Sequence, residues 1–168
     1  MSPHNGNMKY AIIKCSAAEG ARLDEVPDYV RRYPTRAGRE ALAAHLGLTI
    51  NPFSQDWEWE VAKPENFARW LALYRQEPLT DDERFSLMEM LVQCVEELAP
   101  VHGPREQVDS LVEWQAVAAL LRANPWLHGS TIGYWSVFGQ DDPEGQFRVS
   151  QSMRRVWADV QQINAEPF

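Results

Sequence analysis

The stretch Thr80-Asp-Asp-Glu83 constrains this chain more than any other. It carries the residues of a capping box, in which the Thr80 hydroxyl accepts from the Glu83 N–H and the Glu83 carboxylate reaches back to the Thr80 N–H. Asp81 and Asp82 then lie against the positive end of the helix dipole. Downstream, Phe85, Leu87, Met88, Leu91, Val92, Cys94, Val95 and Leu98 fill one half of a helical wheel. Ser86, Glu89, Gln93, Glu96 and Glu97 fill most of the other half, and Pro100 with Gly103-Pro104 ends the run. So wide an apolar arc predicts a helix packed against more than one neighbour, with its Glu89/Glu96 face meeting solvent.

The remaining periodicities are mostly helical. Thr35 and Gly47 have the residue types of an N-cap and a left-handed C′ position, with an alanine-rich stripe between them. Trp57-Glu-Trp59-Glu-Val61 alternates apolar and polar, which suits a strand but is short enough for a helix, and both remain open. Pro64 fits the first turn of a helix carrying Phe67, Trp70, Leu71 and Tyr74, which Pro78 stops. Leu111, Trp114, Val117, Ala118 and Leu121 predict one helix over 105–123. Ser150 is expected to cap a last helix whose stripe is Met153, Val156, Trp157, Val160 and Ile163. Near the start, 8–15 reads as a short strand and 28–33, framed by Pro27 and Pro34, has room for a helical turn. The expected fold is mainly α: a single domain over 1–168, a bundle-like array of about five to six helices, with one short N-terminal β element and residues 1–7 as a tail.

Composition narrows the functional classes. A chain of 168 residues, 45% hydrophobic, can bury roughly 70% of its unfolded surface in one core. No apolar run spans a bilayer, and MSPHNGNMKY lacks the basic start and apolar stretch of a secretory signal. With only Cys15 and Cys94, no disulfide framework is implied, and the expected setting is a reducing one, the cytoplasm. Net charge is −8, unevenly spread. Residues 1–40 carry seven basic against five acidic residues, residues 41–104 four against eleven, and residues 105–168 five against eight. Phosphate backbones are repelled by such a balance, so nucleic acid is not expected as a partner, whereas the −7 middle segment would attract a basic one.

The stretch NPWLHGSTIGYWSVFG, residues 124–139, holds the densest collection of functional side chains. Read structurally, Asn124-Pro125 closes one helix, Gly129-Ser130 opens a short second one along Ile132, Trp135 and Phe138, and Gly139 ends it. Read chemically, Gly129-Ser-Thr131-Ile-Gly133 has the spacing of a nucleophile elbow, but Asn-Pro-Trp-Leu-His before it is no strand, and a threonine is a poor fit there. His128 could act as a base with Asp141 or Asp142 only if the fold joined them.

Other candidates are thin. His4, His45, His102 and His128 are far apart and no H-x-x-x-H or C-x-x-C spacing occurs, so no metal is expected, and no phosphate-cradling glycine motif points to a nucleotide or other cofactor. Glu58 with Glu60, or Glu89 with Glu96, could pair for acid–base work. Arg31, Arg32, Arg36 and Arg39 form the basic cluster; they can hold an anion, or pair with the chain's own acidic middle, which its carboxylate excess favours. The expected function is that of a non-enzymatic acidic binding protein, of inhibitor, immunity or adaptor type, for a basic protein partner. Its contact residues would be Trp57, Trp59, Glu89, Glu96, Trp126 and His128. The alternatives are an enzyme centred on His128 with Asp141 or Asp142, and a self-associating structural module.

Overall fold

The computed structural model describes residues 31–101 and 105–163. The expected tail, the strand at 8–15 and residues 28–30 of the 28–33 segment lie outside them, and 31–33 are irregular rather than helical. Among the described residues the chain forms seven α-helices and no strand: α1 (Arg36–Leu46), α2 (Trp57–Val61), α3 (Phe67–Gln76), α4 (Asp81–Leu98), α5 (Val112–Ala123), α6 (Pro125–Ser136) and α7 (Ser150–Ile163). Short 3-10 turns occupy Pro64–Asn66, Arg105–Ser110 and Pro143–Gly145. The fold is mainly α, with more helices than the five to six expected because the alternating Trp57–Val61 segment is helical.

The capping box starts α4 as its residues dictate: the Glu83 N–H donates to Thr80 Oγ1 at 3.2 Å and the Thr80 N–H to Glu83 Oε2 at 2.8 Å. Helix α4 is the axis of the array and touches α1, α2, α3, α5 and α6. Between Phe85 and Val95 every residue except Gln93 is buried. Each large apolar side chain so enclosed (Leu87, Met88, Leu91 among them) is worth about 1.5–3 kcal/mol relative to exposure. The expectation of a solvated Glu89/Glu96 face is overturned, since Ser86 and Glu89 are buried and Glu96 is half-buried. Helices α2 and α6 lie over that side of α4 and bring partners to it: Glu58 accepts the Ser86 hydroxyl, while Trp59 and Thr131 donate to Glu89.

Thr35 accepts from the Gly38 N–H at 3.0 Å, and Gly47 closes α1 with φ of 67°. Gly38 lets α1 approach the first turn of α4 closely: a Cβ there would lie 2.9 Å from that of Asp82. Three boundaries differ from expectation. The single helix over 105–123 is broken at Leu111, which is extended, so α5 starts at Val112. Asn124 closes α5 as expected, but Pro125 takes the first position of the next helix, and α6 runs unbroken through Gly129 and Ser130 instead of starting there. The left-handed residue that ends it is Val137, with φ of 46°. Finally, α7 takes its cap from across the fold. The Glu96 carboxylate accepts the N–H groups of Arg148 and Val149 at 3.0 Å each, while the Ser150 hydroxyl donates to the Trp135 carbonyl. Arg154 in turn donates to the carbonyls of Ser136, Val137 and Gln140, answering the open C-terminus of α6.

Candidate functional site

Where residues 31–34, α1, α2, α4 and α6 converge, they leave a cleft of roughly 410 Å³. That is enough for a small ligand or a long side chain. At its base lies Glu89, only 6% exposed. Its Oε1 accepts the Thr131 hydroxyl at 2.6 Å, and its Oε2 accepts the Trp135 indole N–H at 2.9 Å and that of Trp59 at 3.4 Å. Thr131 and Trp135 reach it together because positions i and i+4 share one face of α6. Burial pushes the Glu89 carboxyl above the usual range; the three donors offset part of that, and the Glu58 charge adds to it.

Glu58, also buried, is matched in a different way. Arg39 grips it with a two-pronged guanidinium contact, Nε to Oε1 at 2.8 Å and Nη2 to Oε2 at 2.7 Å, and the Ser86 hydroxyl donates to Oε1 at 2.8 Å. The carbonyls of Ser54 and Gln55 each take a further Arg39 donor. Arg32 donates to Asp82 at 2.8 Å, and its backbone N–H to the Ser130 hydroxyl. Arg36 pairs with Glu40 on the helix surface. Of the basic cluster, then, Arg32 and Arg39 meet carboxylates of the acidic middle segment.

Aromatic rings form the wall. Trp59 and Tyr134 lie 5.3 Å apart between centroids, with Trp135 edge-on to Trp59 at 5.7 Å. Tyr134 keeps 41% of its surface exposed at the rim. Its hydroxyl is held above the usual phenol range, first by burial and then by the negative charges of Glu89 and Asp56.

The residues nominated from sequence separate under this geometry. Trp59 and Glu89 line the cleft together, whereas Trp57, Glu96, Trp126 and His128 do not. Trp57 is interior, its indole donating to the Thr49 carbonyl, and so presents no outer contact surface. Trp126 packs half-buried against the core. His128 is fully buried: Nε2 lies 2.7 Å from the Tyr74 hydroxyl, Phe85 stacks on its ring, and Nδ1 has no hydrogen-bond partner. Burial lowers its pKa to about 3, and the charges of Arg32 and Arg84 add to that. Asp141 and Asp142 are exposed, and Asp142 caps the turn at Pro143–Gly145, so the enzyme constellation is not assembled. Thr131 sits mid-helix as a donor to Glu89, which removes the elbow reading.

Sequence reasoning missed Asp56, Ser130 and Tyr134 as cleft residues, and Arg39 and Glu58 as a buried pair. The available signal was the Thr131/Trp135 spacing, two donors on one helical face that require an acceptor. No cluster of three metal-ligating side chains occurs among the described residues, and no described helix is long and apolar enough to cross a membrane. Comparison with protein-family models, curated proteins and solved structures gives no match, so the cleft is read from its own geometry.

Proposed function

We propose that the protein is a non-catalytic binding protein that engages a basic protein partner through the cleft. One observation carries this reading: an exposed aromatic rim, Tyr134 tilted against Trp59, adjoins a buried carboxylate, Glu89, whose donors are all neutral. Aromatic residues are favoured anchors at protein interfaces, and a net charge of −8 speeds encounter with positive partners while disfavouring nucleic acid. The setting we assign is the cytoplasm, on the cysteine usage. Cys94 is buried and its thiol pushed up to about 12, which makes it inert rather than reactive.

The test is retention of partners from the source cells on tagged protein at low and moderate salt, with Tyr134→Ala in parallel. A stoichiometric basic protein, released as salt rises and lost with Tyr134→Ala, is the expected result. Salt-insensitive retention, self-association alone, or no retained protein would count against the reading.

A further inference from the structure

We infer that the cleft admits an arginine side chain, its guanidinium lying against the Trp59–Tyr134 wall and donating toward Glu89 and Asp56. The inference rests on the reading of the cleft as a partner site and adds the chemistry of the group that enters it.

Charge supports a cation at this position. Arg39 and Glu58 cancel one another, as do Arg32 and Asp82. What remains at the inner wall is Glu89, held by two indoles and a hydroxyl; burial favours its proton, and an entering guanidinium would favour the carboxylate instead. Asp56, at the start of α2, is exposed and makes no side-chain capping bond. Tyr134 registers the combined field, since the charges that raise its hydroxyl pKa are those of Glu89 and Asp56. Arg31 and Asp56 both line the cleft and both are exposed, so solvent and salt screen each of them, and the acidic group enclosed at the inner wall is Glu89.

Acceptor capacity supports it too. A carboxylate offers about four lone-pair sites, and Glu89 uses three, one of them at a long 3.4 Å. An incoming N–H donor therefore has a site to fill.

Arginine fits better than lysine because its planar, weakly hydrated guanidinium stacks on rings and loses less on leaving water. The chain already uses this arrangement twice. Arg84 lies over the Tyr74 ring at 5.1 Å while donating to the carbonyls of Tyr74 and Glu77. Arg154 lies over the Phe138 ring at 5.9 Å while donating to three carbonyls. The Trp59–Tyr134 wall beside Glu89 offers the same combination of ring face and acceptor.

The experiment titrates N-acetyl-arginine amide into the full chain and follows the indole N–H resonances of Trp59 and Trp135. The lysine and glutamate counterparts run alongside. Millimolar arginine probe is expected to shift both resonances, the lysine probe to bind more weakly, and the glutamate probe to leave them unmoved. Glu89→Gln should weaken the arginine probe about tenfold, and Asp56→Asn should weaken it to a smaller extent. Because Asp56 is exposed and caps nothing, that variant keeps the test available if Glu89→Gln misfolds. No shift with the arginine probe, unchanged affinity in both variants, or tighter binding of the glutamate probe would overturn the inference. A captured basic partner that arginine amide cannot displace would overturn it while leaving the binding reading intact. Arginine binding without any captured partner would uphold it and remove the partner instead.

Discussion

The Thr131 hydroxyl donates to Glu89 Oε1 at 2.6 Å, joining α6 to α4 through a buried carboxylate 42 residues away in sequence. Burial of that carboxylate, which the Thr131 bond only partly offsets, ties the stability of the fold to its protonation. In the unfolded chain Glu89 titrates near its ordinary value of 4.5; in the folded protein it titrates higher. The folded state thus holds the Glu89 proton more tightly. Its contribution to stability is complete below 4.5 and is lost as pH rises through the folded value. Glu89→Gln removes this dependence, and the neutral amide can still accept from the indoles while donating to the Thr131 oxygen. Urea midpoints measured across that range should show the variant gaining on the native protein as pH rises. Each tenfold difference in proton affinity is worth about 1.4 kcal/mol. Parallel pH profiles would contradict it.

His128 should give a slope of opposite sign. Its unfolded value is 6.5 and its folded value about 3, so the folded state disfavours the proton. The stability it contributes is present above 6.5 and lost as pH falls toward about 3. In the folded protein, the His128 ring resonances should stay those of a neutral imidazole as pH falls well below 6.5. Titration near the ordinary value would show the ring to be hydrated.

Gly129→Ala should raise stability by about 0.5–1 kcal/mol, read from the urea midpoint. The glycine lies inside α6 with helical backbone, and a Cβ there meets nothing within 4 Å. A loss of stability would mean that α6 needs the glycine for a motion or for a contact the resting structure does not make.

Thr80→Ala should cost about 1 kcal/mol by removing one half of the capping box. Glu83 accepts from the Thr80 N–H and also lies 3.1 Å from His45, so Glu83→Ala should cost at least as much. Thermal unfolding of the two variants and the double variant would expose the coupling between them.

Wherever a local rule operates, the helices were legible in advance: Thr35 and Gly47 bound α1, and Thr80 begins α4. Boundaries failed where a distant residue supplied the missing group. Ser150 has the chemistry of a cap, yet Glu96 does the capping, because that carboxylate arrives from α4 and frees the serine for the Trp135 carbonyl. Gly129-Ser130 resembles a break between helices, yet Pro125 had already set the helix in motion and burial carried it through. The cleft was the least legible part. Glu89 reads as a surface residue on any helical wheel, and only the arrival of α2 and α6 converts it into an interior acceptor. Tyr134 lies off the Ile132, Trp135 and Phe138 stripe, and its pairing with Trp59 depends on how two helices distant in sequence cross α4.

Enclosure of α4 on nearly every side has a kinetic consequence for the whole molecule. A helix touching five others cannot come loose without undoing each of those contacts. Its backbone amides between Leu87 and Val95 should therefore exchange with deuterium only through global opening, as the slowest set in the protein. Those of α7, which packs against α5 and α6 and has no comparable enclosure, should exchange through smaller, earlier openings. A ligand seated on Glu89 would touch the slowest layer directly, and would slow exchange across the entire array rather than at the cleft alone.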